Sequence, residues 1–396
     1  MGLLGYYFNH IPKFILLPDE HKFEIIKKIT EDKPTLISIG DEVYIIYNKT
    51  GKKPEKNKPK VRIVKAEKKD VLGCGAFGVV FSGTVMSKGD YDDRQKAIKV
   101  FYNKHPLFTP ENTVKNYDIL CQGQKISGII PRQLLVGSSV LMGRKYDCNV
   151  DQYIENQIYD RQKIEDVTTE FLLSYLKDCF EGLECMHSRG FCHMDITKNN
   201  IYIRNDRFII ADTDSLANKY AKYINYFFMS SPSHTFIKDR TDFLIFLFNE
   251  AKKIGINIWE EPTDRDSPPS EEQINLQASL VEFRQKMDVA GLGFGLICLM
   301  LNNYADMLFI KMSSKEFSEI SQELQLLMRI NIKEWESLYV GEKMSLSALR
   351  DIEKCRKLHG SEIVDLILDM LKPHAERITA KEALKRCKTI IENKNL

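Results

Sequence analysis

The segment from Phe191 to Asp214, FCHMDITKNNIYIRNDRFIIADTD, combines residue types that could perform chemistry. Asp195 and Asn200 stand in a polar run, and Asp212 closes the second of two apolar, strand-like runs. A strand pair joined by a tight turn can direct these three side chains to one place. Asp195 could then accept the proton of an attacking hydroxyl, while Asn200 and Asp212 offer the hard oxygen ligands that Mg²⁺ prefers. The alternative interpretation is a polar loop between two strands of an ordinary α/β fold.

A glycine-rich stretch upstream, VLGCGAFGVVFSGTV from Val71 onward, is the second chemical signal. Gly73, Gly75 and Gly78 have no Cβ atoms, so the backbone amides around them can approach a phosphate closely. The residues that follow are β-like rather than helical, which disfavours a dinucleotide-binding turn. The pattern therefore predicts a strand–loop–strand hairpin.

Lys99 lies in the next predicted strand, KAIKVF. A lysine on an alternating strand commonly faces solvent, but its place after a glycine-rich hairpin favours a cation that holds phosphate. A helix predicted over Pro110–Gln124 should supply an acid to pair with this lysine. Asp118 is the candidate, although the helical phase would put Asn116 on the inward face, and Glu111 lies too near the helix start.

The composition restricts the class of protein. A chain of 396 residues exceeds one compact core, and 43% hydrophobic with 28% charged residues is typical of a soluble globular protein. A net charge of +2 disfavours nucleic acid as a partner. Nine cysteines without a C-x-x-C pair predict neither a zinc site nor a disulfide framework, and favour the cytosol. The longest apolar run, near Gly291–Leu301, is too short to span a bilayer, and the N-terminus lacks the features of a signal peptide.

The first 65 residues are predicted to be an appendage. Asp19–Thr30 has helical spacing, and Leu36–Tyr47 alternates as a strand pair does. The Lys/Pro-rich stretch Lys52–Lys60 indicates a solvated loop or linker.

The rest of the chain is predicted to be strands followed by helices. Thr168–His187 carries a strong apolar stripe at helical spacing, which is typical of a core helix. Lys286–Leu301 is apolar all round and predicts a buried helix, in which Asp288 needs a partner for its carboxylate. The other predicted elements are the strands Ile130–Val136 and Ser139–Lys145, a polar insertion at about 235–285, and two helices within Ile363–Lys385.

A series of motifs spread over roughly residues 66–390 resembles the eukaryotic-type protein kinase superfamily. In chain order they are the glycine-rich loop with Val80, KAIK ending at Lys99, HMDITKNN, ADTD, DVAGLGFG and DMLKPHAERITAKEAL. Ordered agreement of several motifs is more specific than any single match. The resemblance implies an α+β, bilobal kinase-like fold. Residues 66–147 would form a small β-rich N-lobe with a five-stranded sheet and one helix, and 148–396 a large helical C-lobe with the insertion at 235–285.

The same resemblance implies ATP with Mg²⁺ as cofactors, Mn²⁺ being an alternative ion, and ATP bound between the lobes. Residue by residue, Gly73, Gly75 and Gly78 would cover the phosphates, Val80 and Ala97 would line the adenine pocket, and Lys99 would hold the α- and β-phosphates. Asp195 would be the catalytic base, and Asn200 and Asp212 would coordinate the metal. Asp288 would hold the backbone of the catalytic loop, and Arg377 would be a buried structural arginine.

Several positions depart from the family pattern. Met194 replaces an arginine that reads a phosphate on the activation loop, so such a phosphate is not expected to regulate this chain. Thr197 stands where serine/threonine kinases have lysine, and the neighbouring Lys198 is the candidate to reach the γ-phosphate. The D-F-G turn reads Asp212-Thr213-Asp214, and an A-P-E motif is not evident.

The resemblance implies a protein kinase acting on Ser/Thr hydroxyls, either constitutive or activated by a ligand. Two alternatives stay open, a pseudokinase that binds ATP without transfer and a small-molecule kinase of the aminoglycoside or choline type. A protein substrate, such as a host protein, is the expected partner, and a regulatory ligand or partner would bind at the insertions. The expected location is the cytoplasm, or a host cytosol if a bacterium delivers the protein.

Overall fold

In the computed structural model, the described residues form two compact units. They are residues 35–39, 41–48, 61–74, 78–86, 95–101, 109–153, 167–218, 246, 249–253, 255, 270–300, 346–372 and 374–394. The first unit contains the described residues up to Lys125 together with Pro131–Tyr146, and the second contains Ile126–Ile130 together with the described residues from Asp147 onward.

The first unit is built on an antiparallel seven-stranded sheet, in the order β1-β2-β3-β4-β5-β7-β6. Its strands are β1 (Thr35–Ile39), β2 (Glu42–Asn48), β3 (Val61–Cys74), β4 (Gly78–Val85), β5 (Gln95–Phe101), β6 (Leu134–Val136) and β7 (Val140–Arg144). Residues 75–77, at the tip of the glycine-rich stretch, lie outside the described residues. The strands β3 and β4 on either side of it pair antiparallel, so the predicted strand–loop–strand arrangement is confirmed.

The described part of segment 1–65 belongs to this sheet. The strand pair predicted over Leu36–Tyr47 is confirmed as β1 and β2, and β2 continues the sheet by pairing with β3. The boundary expected between residues 65 and 66 falls inside β3, so the sheet has more strands than the expected five. Tyr44 and Ile45 in β2 are buried, which ties the added hairpin to the core. The helix predicted over Asp19–Thr30 and the Lys/Pro-rich stretch Lys52–Lys60 lie outside the described residues.

One helix, α1 (Pro110–Cys121), packs on a face of the sheet. The Thr109 hydroxyl caps it by accepting from the Asn112 amide, and Pro110 opens it where a missing N–H costs nothing. Val114 packs against Phe101 of β5 and Leu141 of β7. The helix is therefore attached to the strand that carries Lys99.

The second unit is mainly helical. Its elements are β8 (Cys148–Asn149), α2 (Val150–Tyr153), α3 (Thr169–Ser188), β9 (Phe191–Cys192), β10 (Ile201–Arg204), β11 (Arg207–Ile210), β12 (Ala217–Asn218), α4 (Glu271–Met300), α5 (Leu346–His359), α6 (Ser361–Met370) and α7 (Ala380–Asn393). The helix predicted over Thr168–His187 is confirmed as α3, with Thr168 as its N-cap. The two helices predicted within Ile363–Lys385 are confirmed as α6 and α7.

Helix α4 begins earlier than its apolar stretch indicates. It starts at Glu271, inside the segment expected as an insertion, and the helix predicted from Lys286 is its second half. The first half lies in the part of the sequence that is polar and helix-prone, and it joins the apolar second half in one continuous helix. Within the described part of the chain, no helix has the length and apolarity that a membrane crossing requires.

The strand predicted over Ile130–Val136 is shorter than expected, because its first residues pair elsewhere. Ile130 donates its N–H to the Ile210 carbonyl at 2.8 Å, and Ile129 forms a parallel bridge with Ile210. At Gly128, a Cβ would lie 2.0 Å from the Asp178 carbonyl oxygen. This glycine allows the chain to pass directly over α3, so that residues 126–130 belong to the second unit.

A buried carboxylate on α3 fixes the β10–β11 hairpin. Asp178 is 2% exposed and accepts from the Arg207 side chain, at 2.6 Å from Nη2 and 2.8 Å from Nε, and from the Phe208 amide at 3.0 Å. A buried carboxylate is tolerated when its oxygens are paired in this way. The hairpin that leads to Asp212 is therefore attached to the core helix.

His374 gives the second unit a pH-dependent contribution to stability. Its ring stacks on Phe283 of α4 at 3.7 Å between centroids, and the Lys286 ammonium donates to its carbonyl. Burial, together with the nearby charges of Lys286 and Arg377, lowers the pKa of His374 from 6.5 to about 4.

We expect His374→Gln to weaken the pH dependence of unfolding. In the unfolded chain His374 is protonated below about pH 6.5, whereas in the folded protein it stays neutral until about pH 4. The free energy of unfolding therefore decreases as the pH falls from 6.5 to 4. The loss attributable to this group is up to about 3 kcal/mol. Denaturant unfolding of both proteins at several pH values measures it, and contributions from other histidines cancel in the comparison. Equal pH dependence of the two proteins would contradict the assignment.

Candidate active site

The carboxylate of Asp288 holds the backbone of the loop that carries Asp195. It is 2% exposed, and it accepts from the His193 amide at 2.7 Å and from the Met194 amide at 2.8 Å. Met194 has a φ of +70°, a left-handed conformation that is unfavourable for a residue with a side chain. The two hydrogen bonds from α4 help to hold the loop in this conformation directly before Asp195.

Two further side chains attach the loop to the helices. His187, at the end of α3, lies 3.1 Å through Nε2 from the Asp288 Oδ2 atom. Gln285, one turn before Asp288 on α4, donates from its amide nitrogen to the carbonyls of His187 and Phe191. The loop is therefore connected to both α3 and α4 at its start.

Asp195 and Asn200 are brought together within the loop. The Asn200 amide nitrogen donates to the Asp195 Oδ2 atom at 2.8 Å and to its carbonyl at 3.0 Å. His193 is fully buried, and it contacts the backbone on both sides of this pair. Its Nε2 is 2.8 Å from the Ala211 carbonyl, and its Nδ1 accepts from the Asp195 amide at 3.3 Å. These contacts require the neutral tautomer with the proton on Nε2.

Asp212 follows β11 at the end of the hairpin where Asn200 precedes β10. Ile201 pairs with Ile210, and the Ala211 amide donates to the Asn200 carbonyl at 2.8 Å. Asp212 itself has a φ of +59°, in the left-handed region that Asp tolerates better than most residues. The pairing of the two strands brings Asp212 to the same end of the hairpin as Asn200.

Asn200 and Asp212 carry oxygen atoms of the type that magnesium prefers. Among the described residues, no group of three or more His, Cys, Asp or Glu side chains could hold a metal by itself. Mg²⁺ is commonly bound by one or two protein oxygen ligands and completed by substrate phosphates and water. Asn200 and Asp212 would hold the ion, and phosphate oxygens would supply the remaining ligands.

The D-T-D turn forms a short 3₁₀ turn, Thr213–Ser215. Thr213 is 2% exposed and Asp214 is 8% exposed, so both side chains point into the protein. A threonine fills less of the interior than a phenylalanine would. Asp214 places a buried carboxylate two residues after Asp212, which the glycine of the family pattern would not.

Lys198, expected to reach the γ-phosphate, forms an ion pair with Asp151 of α2. It opens the 3₁₀ turn Lys198–Asn200, which has no side-chain cap at Thr197. The structure therefore assigns its ammonium group a carboxylate partner within the second unit.

In the first unit, the register of the sheet places Val80, Ala97 and Lys99, the residues expected to contact a nucleotide, on one face. Val80 lies opposite Lys99, and Ala97 precedes Lys99 by one full strand period. The Lys99 ammonium lies 4.9 Å from the centroid of the Phe101 ring. At Gly78, a Cβ would lie 2.4 Å from the Val100 carbonyl oxygen, so packing between β4 and β5 alone requires glycine there. At Gly73 a Cβ would meet nothing within 4 Å, and Gly75 lies outside the described residues.

Asp118 pairs with Arg132 rather than with Lys99. Its two carboxylate oxygens accept from the guanidinium at 2.7 and 3.0 Å, and both side chains are about half exposed. This contact holds the pKa of Asp118 below its ordinary value. The phase of α1 turns Asp118 outward, as it does Glu111. The buried face of α1 consists instead of Pro110, Thr113, Val114, Tyr117, Leu120 and Cys121.

With this geometry in view, comparison with known proteins assigns a family. Residues 66–231 match the protein tyrosine and serine/threonine kinase family. These residues belong to the protein kinase superfamily. A protein of Acanthamoeba polyphaga mimivirus that is named as a serine/threonine-protein kinase, L673, is 22% identical over 182 residues. The match covers 42% of this chain and 30% of the viral protein.

Beyond the matched residues, Arg377 is buried in the C-terminal part of the chain. It is 3% exposed, and its guanidinium donates to the carbonyls of Lys286 and Lys372. It therefore connects α4, on which Asp288 lies, to the segment between α6 and α7.

Some residues around the candidate site were not predicted from the sequence. Asp178 and His187 interrupt the apolar stripe of α3, and a polar residue in a buried phase needs a partner, so a signal for both was present. Asp151 gave no such signal, because it does not interrupt an apolar stripe. Only the folded structure brings Asp151 and Lys198 together.

We expect Gly291→Ala to destabilise the protein. In an open helix this change is stabilising by about 1 kcal/mol, because alanine is the better helix former. Here a Cβ would lie 2.4 Å from the Ile196 carbonyl oxygen, next to Asp195. Either α4 or the catalytic loop must shift, at a cost of about 1–3 kcal/mol. Thermal unfolding measures the sign, and faster hydrogen exchange at the His193 and Met194 amides would localise the change. Increased stability would contradict this account of the packing.

Proposed function

We propose that this chain is an ATP- and Mg²⁺-dependent protein kinase that transfers the γ-phosphate to serine or threonine hydroxyls. The observation that carries the proposal is the loop held by Asp288, in which Asn200 donates to the Asp195 carboxylate. This arrangement supports a base and a metal ligand held in fixed relation. Phosphoryl transfer depends mostly on such positioning and on charge neutralisation.

Each residue has a separate task in the proposed reaction. The Asp195 carboxylate accepts the proton of the attacking hydroxyl, and its hydrogen bond with Asn200 orients it. Bound Mg²⁺ would neutralise charge on the phosphate oxygens, with Asn200 and Asp212 as its protein ligands. In the first unit, Lys99 contributes a positive charge for the α- and β-phosphates, and Val80 and Ala97 share its face of the sheet.

The preference for serine or threonine is supported by the viral relative, whose name states it. The absence of an arginine at Met194 supports an enzyme that is constitutive or activated by a ligand, since no loop phosphate would be read there. The proposed acceptor is a protein in the cytoplasm, or in the host cytosol if the chain is delivered there.

A pseudokinase is the second candidate. Neither acid of α1 lies on its buried face, so this helix presents no carboxylate to the strand that carries Lys99. Such a protein would bind ATP without transferring phosphate.

We expect Asp195→Asn to reduce phosphate transfer by roughly 100-fold or more, which is the contribution of a positioned base. The amide keeps the size of the side chain and an acceptor for Asn200, so ATP affinity should change little. Transfer of labelled γ-phosphate to protein is measured with and without eukaryotic cell extract, followed by phosphoamino acid analysis. ATP affinity is measured by calorimetry.

Asp206→Asn is the matched control, because Asp206 is an exposed carboxylate in the turn of the same hairpin. It should retain wild-type transfer. Equal activity of Asp195→Asn and wild type would refute the assigned base. ATP binding by the wild-type protein without transfer to any acceptor would establish the pseudokinase instead, and label on tyrosine would correct the substrate class.

A further inference from the structure

The ion pair between Lys198 and Asp151 connects the catalytic loop to a helix that the proposed reaction does not otherwise use. Side-chain exposure is 18% for Lys198 and 24% for Asp151. Partial burial reduces the screening of the two charges by solvent and salt, so this ion pair stabilises the fold more than a fully exposed ion pair does. Lys198 lies two residues before Asn200 in the chain.

Asp151 stands on a well-supported element, although α2 is short. The preceding strand β8 pairs with β10, with Cys148 opposite Ile203. Asn149 and Gln152 cap each other, because each side-chain oxygen accepts from the backbone amide of the other residue. Val150 is fully buried, and the Tyr153 ring stacks on Phe171 at 4.7 Å. The carboxylate of Asp151 is therefore presented from a fixed position.

The turn on the other side of the pair begins without a side-chain cap, although the Asn200 amide donates to the Thr197 carbonyl at 2.9 Å. Thr197, the N-cap of the turn Lys198–Asn200, makes no side-chain capping bond. The end of the turn is held by the Ala211 amide, which donates to the Asn200 carbonyl, and by the Asn200 side chain on Asp195. Lys198 gives the first residue of the turn a side-chain attachment to α2.

We propose that Asp151 is a positioning residue: through Lys198 it fixes the turn that carries Asn200, and so presets Asn200 for the metal of Mg²⁺·ATP. This inference rests on the proposed function, since it assigns Asn200 to the metal. It differs from the sequence-based expectation, in which Lys198 contacts the γ-phosphate. In that case Asp151 would compete with phosphate for the ammonium group, and its removal would leave transfer unchanged or improve it.

A double-mutant cycle separates the two roles. Asp151→Asn, Lys198→Met and the double variant are compared with wild type in the Mg²⁺ concentration that gives half-maximal phosphate transfer. The Mg²⁺ dependence of ATP affinity is measured by calorimetry in parallel. We expect each single change to raise the Mg²⁺ requirement by about three- to ten-fold, and the double variant to show no further increase, since both changes remove one interaction.

Two controls accompany the cycle. Asp365→Asn removes the carboxylate of another ion pair of the second unit, with Arg356 at 2.7 Å, and should leave the Mg²⁺ requirement unchanged. Asp151→Glu retains the carboxylate and should restore most of the wild-type value. A purely structural role for Asp151 would lower thermal stability without shifting the Mg²⁺ requirement, and would overturn the proposal.

The remaining outcomes are also decisive. If Lys198→Met raises the Mg²⁺ requirement while Asp151→Asn does not, the lysine acts on phosphate directly and the positioning role is wrong. Additive effects in the double variant would refute it as well. If wild type binds Mg²⁺·ATP without transfer, the proposed kinase activity fails, but the same non-additive pattern in ATP affinity still supports the role of Asp151. If wild type binds no Mg²⁺·ATP, both proposals fail.

Discussion

The segment that carries Asp195 depends on the hydrogen bonds accepted by the buried carboxylate of Asp288. An unpaired charge at this depth would cost several kcal/mol, so the site is stable only while its acceptors are filled. The His193 and Met194 amides and the His187 ring fill them. The same hydrogen bonds that satisfy the Asp288 carboxylate also help to hold Met194 in a left-handed conformation. Because the buried Asp288 carboxylate must be hydrogen-bonded, the loop that carries Asp195 is held in one backbone geometry.

A second buried acid works in the same way at the other end of this segment. Asp178 pairs with Arg207 and with the Phe208 amide, and so attaches the β10–β11 hairpin to α3. Between these two points the chain contains Asp195 and Asn200, and Asp212 follows four residues after the second. Neither buried acid belongs to the chemistry itself. Both restrict the backbone on which the chemistry is placed, and a site held by helices is more exact than one held by loops alone.

In the first unit, the sheet and the helix α1 together form the surroundings of Lys99. Its sheet gains the hairpin β1–β2, which extends it beyond β3. Its helix packs on Phe101 and Leu141 through Val114, but presents no carboxylate on that face. Strand register and a contact with the Phe101 ring are among the interactions that place the Lys99 side chain. The absence of an acid on the buried face of α1 is a departure from the kinase pattern, as are the D-T-D turn, Met194 and Thr197.

Local patterns in the sequence determined the hairpin around the glycine-rich stretch, the helix α3 and the order of the motifs. Each depends on periodicity or spacing within a few turns of chain. What the sequence could not determine were contacts between distant residues. Asp118 meets Arg132, the start of the predicted strand at Ile130 joins Ile210, and Lys198 meets Asp151 only after the chain folds. Hydrogen bonds and charges find their partners by proximity in space, which no local period encodes, so these pairings were decided by the tertiary structure alone.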